Sequence, residues 1–143
     1  MLGAIFAIIA GAAMSFQGVF NTKLGEKIGI WETNMVVQGS AFLITLIIVW
    51  LWGKGELKEI SSANKIYLLG GILGVVITFF VMKGITNLGP TYAISIILVA
   101  QLLTAAAIDA FGLFGCEKLT FGVSKIIGVA IMIAGIVIFK WKG

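Results

Sequence analysis

Histidine and arginine are absent from this sequence, cysteine and proline occur once each, and only six of the 143 residues are acidic. Without histidine the commonest metal ligand and the usual catalytic base are missing, so metal sites, triad chemistry and cofactors are not expected. The lone Cys116 cannot close an internal disulfide. No paired carboxylates stand at a suitable spacing and no phosphate-binding glycine loop occurs, which argues against an enzyme.

What the chain has in abundance is apolar surface. Hydrophobic residues make up 60% and charged residues 11%, against roughly 45–50% and ~25% in soluble domains, and the mean hydropathy is +1.14. These values specify an all-α integral membrane protein. Its net charge of +4 then describes loops at a membrane surface rather than a nucleic-acid footprint. The start, "MLGAIFAIIAGAAMSFQG", lacks a basic leader region and has too long an apolar run for a signal peptide, so it reads as a retained first span.

A bilayer core of ~30 Å needs about 20 residues of helix. Charged breaks divide the chain into five such runs, about 2–22, 31–52, 66–87, 90–112 and 121–139, forming a single transmembrane domain over residues 1–143. Pro90 belongs at the start of the fourth helix, where its missing N–H costs nothing. Five spans place Lys23, Lys27, Lys83, Lys140 and Lys142 on one side and Lys54, Lys58, Lys65, Lys118 and Lys125 on the other. An excess of lysine and arginine on the cytoplasmic side normally sets orientation. Here that excess is zero, which arises either by chance in a small tally or because the chain inserts both ways up. In the second case an inverted pair would form the two-repeat arrangement of secondary transporters.

Polar residues inside the spans are the candidate functional groups. On the first helix Gly3, Ala7, Gly11 and Ser15 form a small-residue stripe, while Ala13, Gln17 and Asn21 form another. Chain direction places Gln17, Asn21, Asn34 and Gln38 in one half of the bilayer, with Gln101 near the middle of the fourth helix. Such amides either bond helices together or line a wet cavity, because lipid cannot satisfy them. The cavity reading gives an amide-lined space open to one side, suited to a neutral or weakly polar solute.

Glu32, opening the second helix, suits the positive end of its macrodipole. Asp109, roughly 10 Å from its helix centre, is either a cavity acid or a near-interface partner of a loop lysine. Lys83 reaches toward the interface or neutralises an anionic substrate. Gly128 and Gly135, seven apart on the fifth helix, point to close helix packing within the chain or with an inverted copy. Trp50, Trp52 and Trp141 read as interfacial anchors, and so does Trp31, which otherwise walls the cavity mouth.

Three segments carry a family resemblance: "FQGVFNTKLG", "NLGPTYAISIILVAQLL" and above all "AQLLTAAAIDAFGLFG". They resemble the YdcZ-type inner-membrane exporters, a five-helix branch of the drug/metabolite transporter superfamily. The tail from Gly115 to Phe139 resembles the Gly-x-Glu-x-Leu-Thr turn and glycine-bearing last helix found more widely in that superfamily. The resemblance implies one structural repeat that dimerises, antiparallel, in the inner (plasma) membrane to work. It departs from the small multidrug resistance proteins at one point. Their first-helix glutamate has no counterpart in "IIAGAAMSFQGVF", so proton-coupled export of cationic drugs by that route is not expected.

The function expected is therefore a secondary transporter, an exporter of small organic solutes working by alternating access as an antiparallel homodimer. Its partners are the bilayer, a small-molecule substrate and an inverted second copy. The alternative is an accessory or structural subunit that works only with a different homologous partner.

Overall fold

A computed structural model describes residues 1–118 and 122–141. The main helices among them are α1 (Leu2–Ile28), α2 (Ile30–Trp52), α3 (Gly70–Leu88), α4 (Pro90–Phe111) and α5 (Val123–Trp141). Five helical spans are long and apolar enough to cross a membrane, the third being Lys65–Leu88, which includes a short 3-10 turn before α3. The five expected helices are thus present. The expected start of the fifth at residue 121, and Leu119 and Thr120 of the turn before it, lie outside the described residues.

The helix ends follow from local chemistry, and one differs from expectation. The charges from Lys23 onward suggest a loop, yet α1 continues to Ile28. Lys23 and Glu26 face each other across 2.9 Å one turn apart, and Gly25 between them keeps its helical conformation. Gly29 ends it. At φ 98° and ψ 154° this residue closes α1, its N–H bonding the Gly25 carbonyl, and at once begins α2. Only glycine adopts such a conformation readily. The Glu32 carboxylate folds back over Gly29 in the first turn of α2, where its charge complements the exposed N–H groups. Pro90 occupies the first turn of α4 as expected, and Gly112, left-handed, closes that helix.

The chain divides into two compact units, Met1–Asn87 and Leu88–Gly143. In the first, burial is confined to the end near Gly29. Gly18, Asn21 and Thr22 of α1, Thr33 and Asn34 of α2, and Met82 and Ile85 of α3 are buried, whereas residues 1–14 are all exposed. Gly18 explains how α3 approaches α1: a Cβ there would stand 2.9 Å from Ile85 Cδ1 and 3.2 Å from Val81 Cγ1. In lipid no hydrophobic force pulls helices together, so such close approach and interhelical hydrogen bonds hold the unit.

The second unit is built on the α4–α5 pair, with Ala93 buried among the described residues. Lys140, near the end of α5, places its ammonium 4.3 Å from the Tyr92 ring centre at the start of α4, a cation–π contact at the membrane boundary. Gly128 and Gly135, expected to pack, have no atom within 4 Å of an added Cβ. The same holds for Gly3 and Gly11 of α1. These glycine faces are open in the chain itself.

Candidate functional site

The six polar residues singled out from the sequence fall into both units, Gln17, Asn21, Asn34 and Gln38 in the first and Gln101 and Asp109 in the second. Within the first, Asn34 and Gln38 stand one turn apart on α2 and both reach α3. The Asn34 Nδ2 donates to the Val75 carbonyl oxygen at 2.8 Å, and the Gln38 Nε2 reaches the Thr78 hydroxyl oxygen at 3.5 Å. Gly74 makes room for the second contact, since a Cβ there would lie 3.2 Å from the Gln38 Nε2. These two amides therefore form a polar seam between helices. Asn34 has one atom to spare: its Oδ1 is buried without a hydrogen-bond partner.

Asn21 is buried in the same unit, but Gln17, one turn earlier on α1, is exposed. α3 still lies against Gly18, the next residue, but at 100° per residue Gln17 is turned roughly a quarter turn off the face that carries Gly18, Asn21 and Thr22. The uncharged run of α1, residues 2–22, centres on residue 12, leaving Gln17 about 8 Å from that centre by the 1.5 Å rise. It lies inside a slab of ~30 Å. Gln101 occupies the middle of α4 and is likewise exposed. Among the described residues neither glutamine side chain has a hydrogen bond within its own unit. At the mouth of the first unit Trp31 stacks on Phe79, ring centres 4.7 Å apart at 22°, so this tryptophan belongs to the α2–α3 wall. Lys83 is exposed near the end of α3.

Asp109 opens onto a groove of ≈ 490 Å³ between α4 and α5. Leu102 and Ala106 lie below it on the same face of α4, and Lys125, Val129 and Met132 answer from α5. Asp109 is two residues before the end of α4, and Lys125 two residues after the start of α5, so both charges stand at the end of the groove nearest the connecting segment. The Asp109 carboxylate is half-buried and has no hydrogen bond or ion pair among the described residues. Sequence reasoning counted Lys125 only in the tally of lysines by side. Its place in the groove depends on how α5 turns toward α4, which spacing alone does not give.

Among the described residues no group of three or more histidine, cysteine, aspartate or glutamate side chains stands close enough to hold a metal ion. Taken separately, the described residues of the first unit present the amides of Asn21, Asn34, Gln38 and Gln17, and those of the second the amide of Gln101 and the carboxylate of Asp109. Neither a curated protein nor a solved structure matches the chain. The family described as "Putative inner membrane exporter, YdcZ" matches residues 2–138. Five spans and a match across nearly the full length lead to one conclusion: the chain belongs to the YdcZ family of inner-membrane exporters, as a multi-pass transporter and not an enzyme.

Proposed function

We propose that the chain is one repeat of a secondary transporter of the drug/metabolite type, which exports small organic solutes by alternating access as an antiparallel homodimer. One observation carries this reading: Gln17 and Gln101 lie exposed within the hydrocarbon depth, with no hydrogen-bond partner among the described residues of their own units. Lipid offers an amide nothing to bond, so such groups face protein or a water-filled path. A second copy supplies both. Gly135 and the edge of α5 beside Gly128, open in the single chain, give that copy a surface of close approach. Asn21, Asn34 and Gln38 line the polar side of the first unit, and Asp109 that of the second.

The equal division of lysines between the two sides supports insertion in both orientations. Cys116 tests it directly, being the sole thiol and exposed. Intact cells are labelled with a membrane-impermeant maleimide, and permeabilised cells fix the total that can react. About half of that total labelled from outside is the outcome expected of two orientations. Labelling of all or none overturns the homodimer and points to a separate inverted partner.

A further inference from the structure

The connection from α2 to α3 holds a groove that the proposed solute path does not use. Its volume is ≈ 740 Å³, and Val49, Gly53, Gly55, Glu56, Leu57 and Lys58 line it. We propose that this groove is a phospholipid site selective for a zwitterionic headgroup with a primary ammonium, as in phosphatidylethanolamine: the phosphate at Lys58, the ammonium at Glu56, and the start of an acyl chain along Val49 and Leu57. The assignment does not rest on the transporter reading.

Position selects a lipid. The second span ends at Trp52 and the third begins at Lys65, so residues 53–64 stand at the membrane boundary, where headgroups are. Trp50 and Trp52, both exposed, mark the same level. Leu57 and Ile60 lie three apart in the 3-10 turn Leu57–Ser61 and so share one edge of it. Both are exposed, and an exposed apolar edge beside a bilayer is one that acyl chains cover.

Charge complementarity selects the headgroup. Glu56 and Lys58 line one groove, yet among the described residues neither side chain has an ion pair or a hydrogen bond. The next acid differs: the Glu59 Oε2 accepts from the Ser62 hydroxyl at 2.9 Å. An anionic headgroup would satisfy Lys58 but meet the like charge of Glu56. A headgroup bearing both charges satisfies the pair and adds no net charge. Its cation is best a primary ammonium, because a carboxylate only accepts hydrogen bonds and an ammonium supplies three donors. A quaternary ammonium has none and is held by aromatic faces instead, and no aromatic ring lines this groove. Gly53 and Gly55 leave their part of the wall without side chains, and no atom stands within 4 Å of where a Gly55 Cβ would be.

The test is native mass spectrometry of the full chain, released from detergent micelles that carry equal amounts of phosphatidylethanolamine, phosphatidylcholine and phosphatidylglycerol with identical acyl chains. Phosphatidylethanolamine is expected to exceed each of the other two by about fivefold, the scale of one partly exposed ion pair. Lys58→Gln should lower its occupancy by about the same factor. Glu56→Gln should do so too and should also raise phosphatidylglycerol to parity, because the like charge has gone. Lys54→Gln alters a lysine that does not line the groove and should leave occupancy within about twofold of the parent. Unchanged melting temperatures show that these exposed substitutions leave the fold intact. Equal occupancy by the three lipids, or a preference of the parent chain for phosphatidylglycerol, overturns the proposal. So does a loss with Lys54→Gln as large as that with Lys58→Gln, which would mean a basic surface without a site, or a phosphatidylethanolamine preference that survives Glu56→Gln. Displacement of the lipid by an equal concentration of soluble phosphoethanolamine also overturns it, because the groove then holds a free headgroup and not a lipid.

Discussion

The Asn34 side-chain amide spends its nitrogen on the Val75 carbonyl at 2.8 Å and leaves its oxygen buried with nothing to accept from. The two halves of one amide thus act in opposite senses. The bond contributes about 0.5–1.5 kcal/mol, while a buried unsatisfied acceptor costs about 1–3 kcal/mol. Asn34→Leu removes both and is expected to leave stability within about 1 kcal/mol of the parent. Asn34→Asp loses the donor, sets a carboxylate against a carbonyl oxygen and should lower stability by about 2 kcal/mol or more. Thermal melts of the purified chain in detergent compare the two. Equal losses would mean that the Asn34 oxygen has a partner the chain itself does not provide.

That residue also shows what the sequence made legible and what it did not. Apolar runs cut by charges gave the five helices, and Pro90 and Glu32 marked two helix starts, because these signals are local. The partner of an amide is not local. Asn34 and Gln38 read equally well as cavity lining or helix contact until α3 is placed beside them. Glycines behave the same way: spacing drew attention to Gly128 and Gly135, yet Gly18 is the one pressed against Ile85. The end of α1 was hidden for a different reason. Lys23, Glu26 and Lys27 look like loop composition, but they support a helix until a residue of positive φ stops it.

Gly18 is expected to be sensitive to size. Alanine there needs a shift of the flexible Ile85 end and a few tenths of an ångström from Val81, so Gly18→Ala should cost about 1 kcal/mol, whereas Gly18→Leu overfills the α1–α3 contact and should cost about 1–3 kcal/mol. Ile85→Ala combined with Gly18→Leu should recover part of that loss. A double-mutant cycle on thermal stability measures the recovery, and strict additivity would mean that the two residues do not share a contact.

Gly29 carries the α1–α2 turn alone. Any side chain must adopt φ near 98° and displace the Glu32 carboxylate that folds over this position. Gly29→Ala is therefore expected to destabilise by about 1–3 kcal/mol through the backbone. Glu32→Gln should not rescue it, since a side-chain end can rotate aside and the backbone dihedral cannot. Protease sensitivity at the turn, followed alongside melting, checks both claims. A rescue would show that charge crowding, not backbone conformation, fixes glycine there.

Gln17 and Gln101 decide whether a second chain completes the fold. If these amides faced lipid, replacing them with leucine would remove a polar burden and leave association unchanged or tighter. Against a partner copy, each substitution removes an interhelical hydrogen bond of about 0.6–2 kcal/mol. That corresponds to a dimer dissociation constant roughly threefold to thirtyfold weaker, at about 1.4 kcal/mol per tenfold. Helical content should not change, because both side chains project from otherwise regular helices. Dilution in lipid bilayers, with dimers counted by single-molecule photobleaching, measures the shift for each variant. A dimer as tight as the parent's with both glutamines replaced would assign these side chains to a solute path instead of the subunit interface, and transport by the same variants would then fall while assembly held.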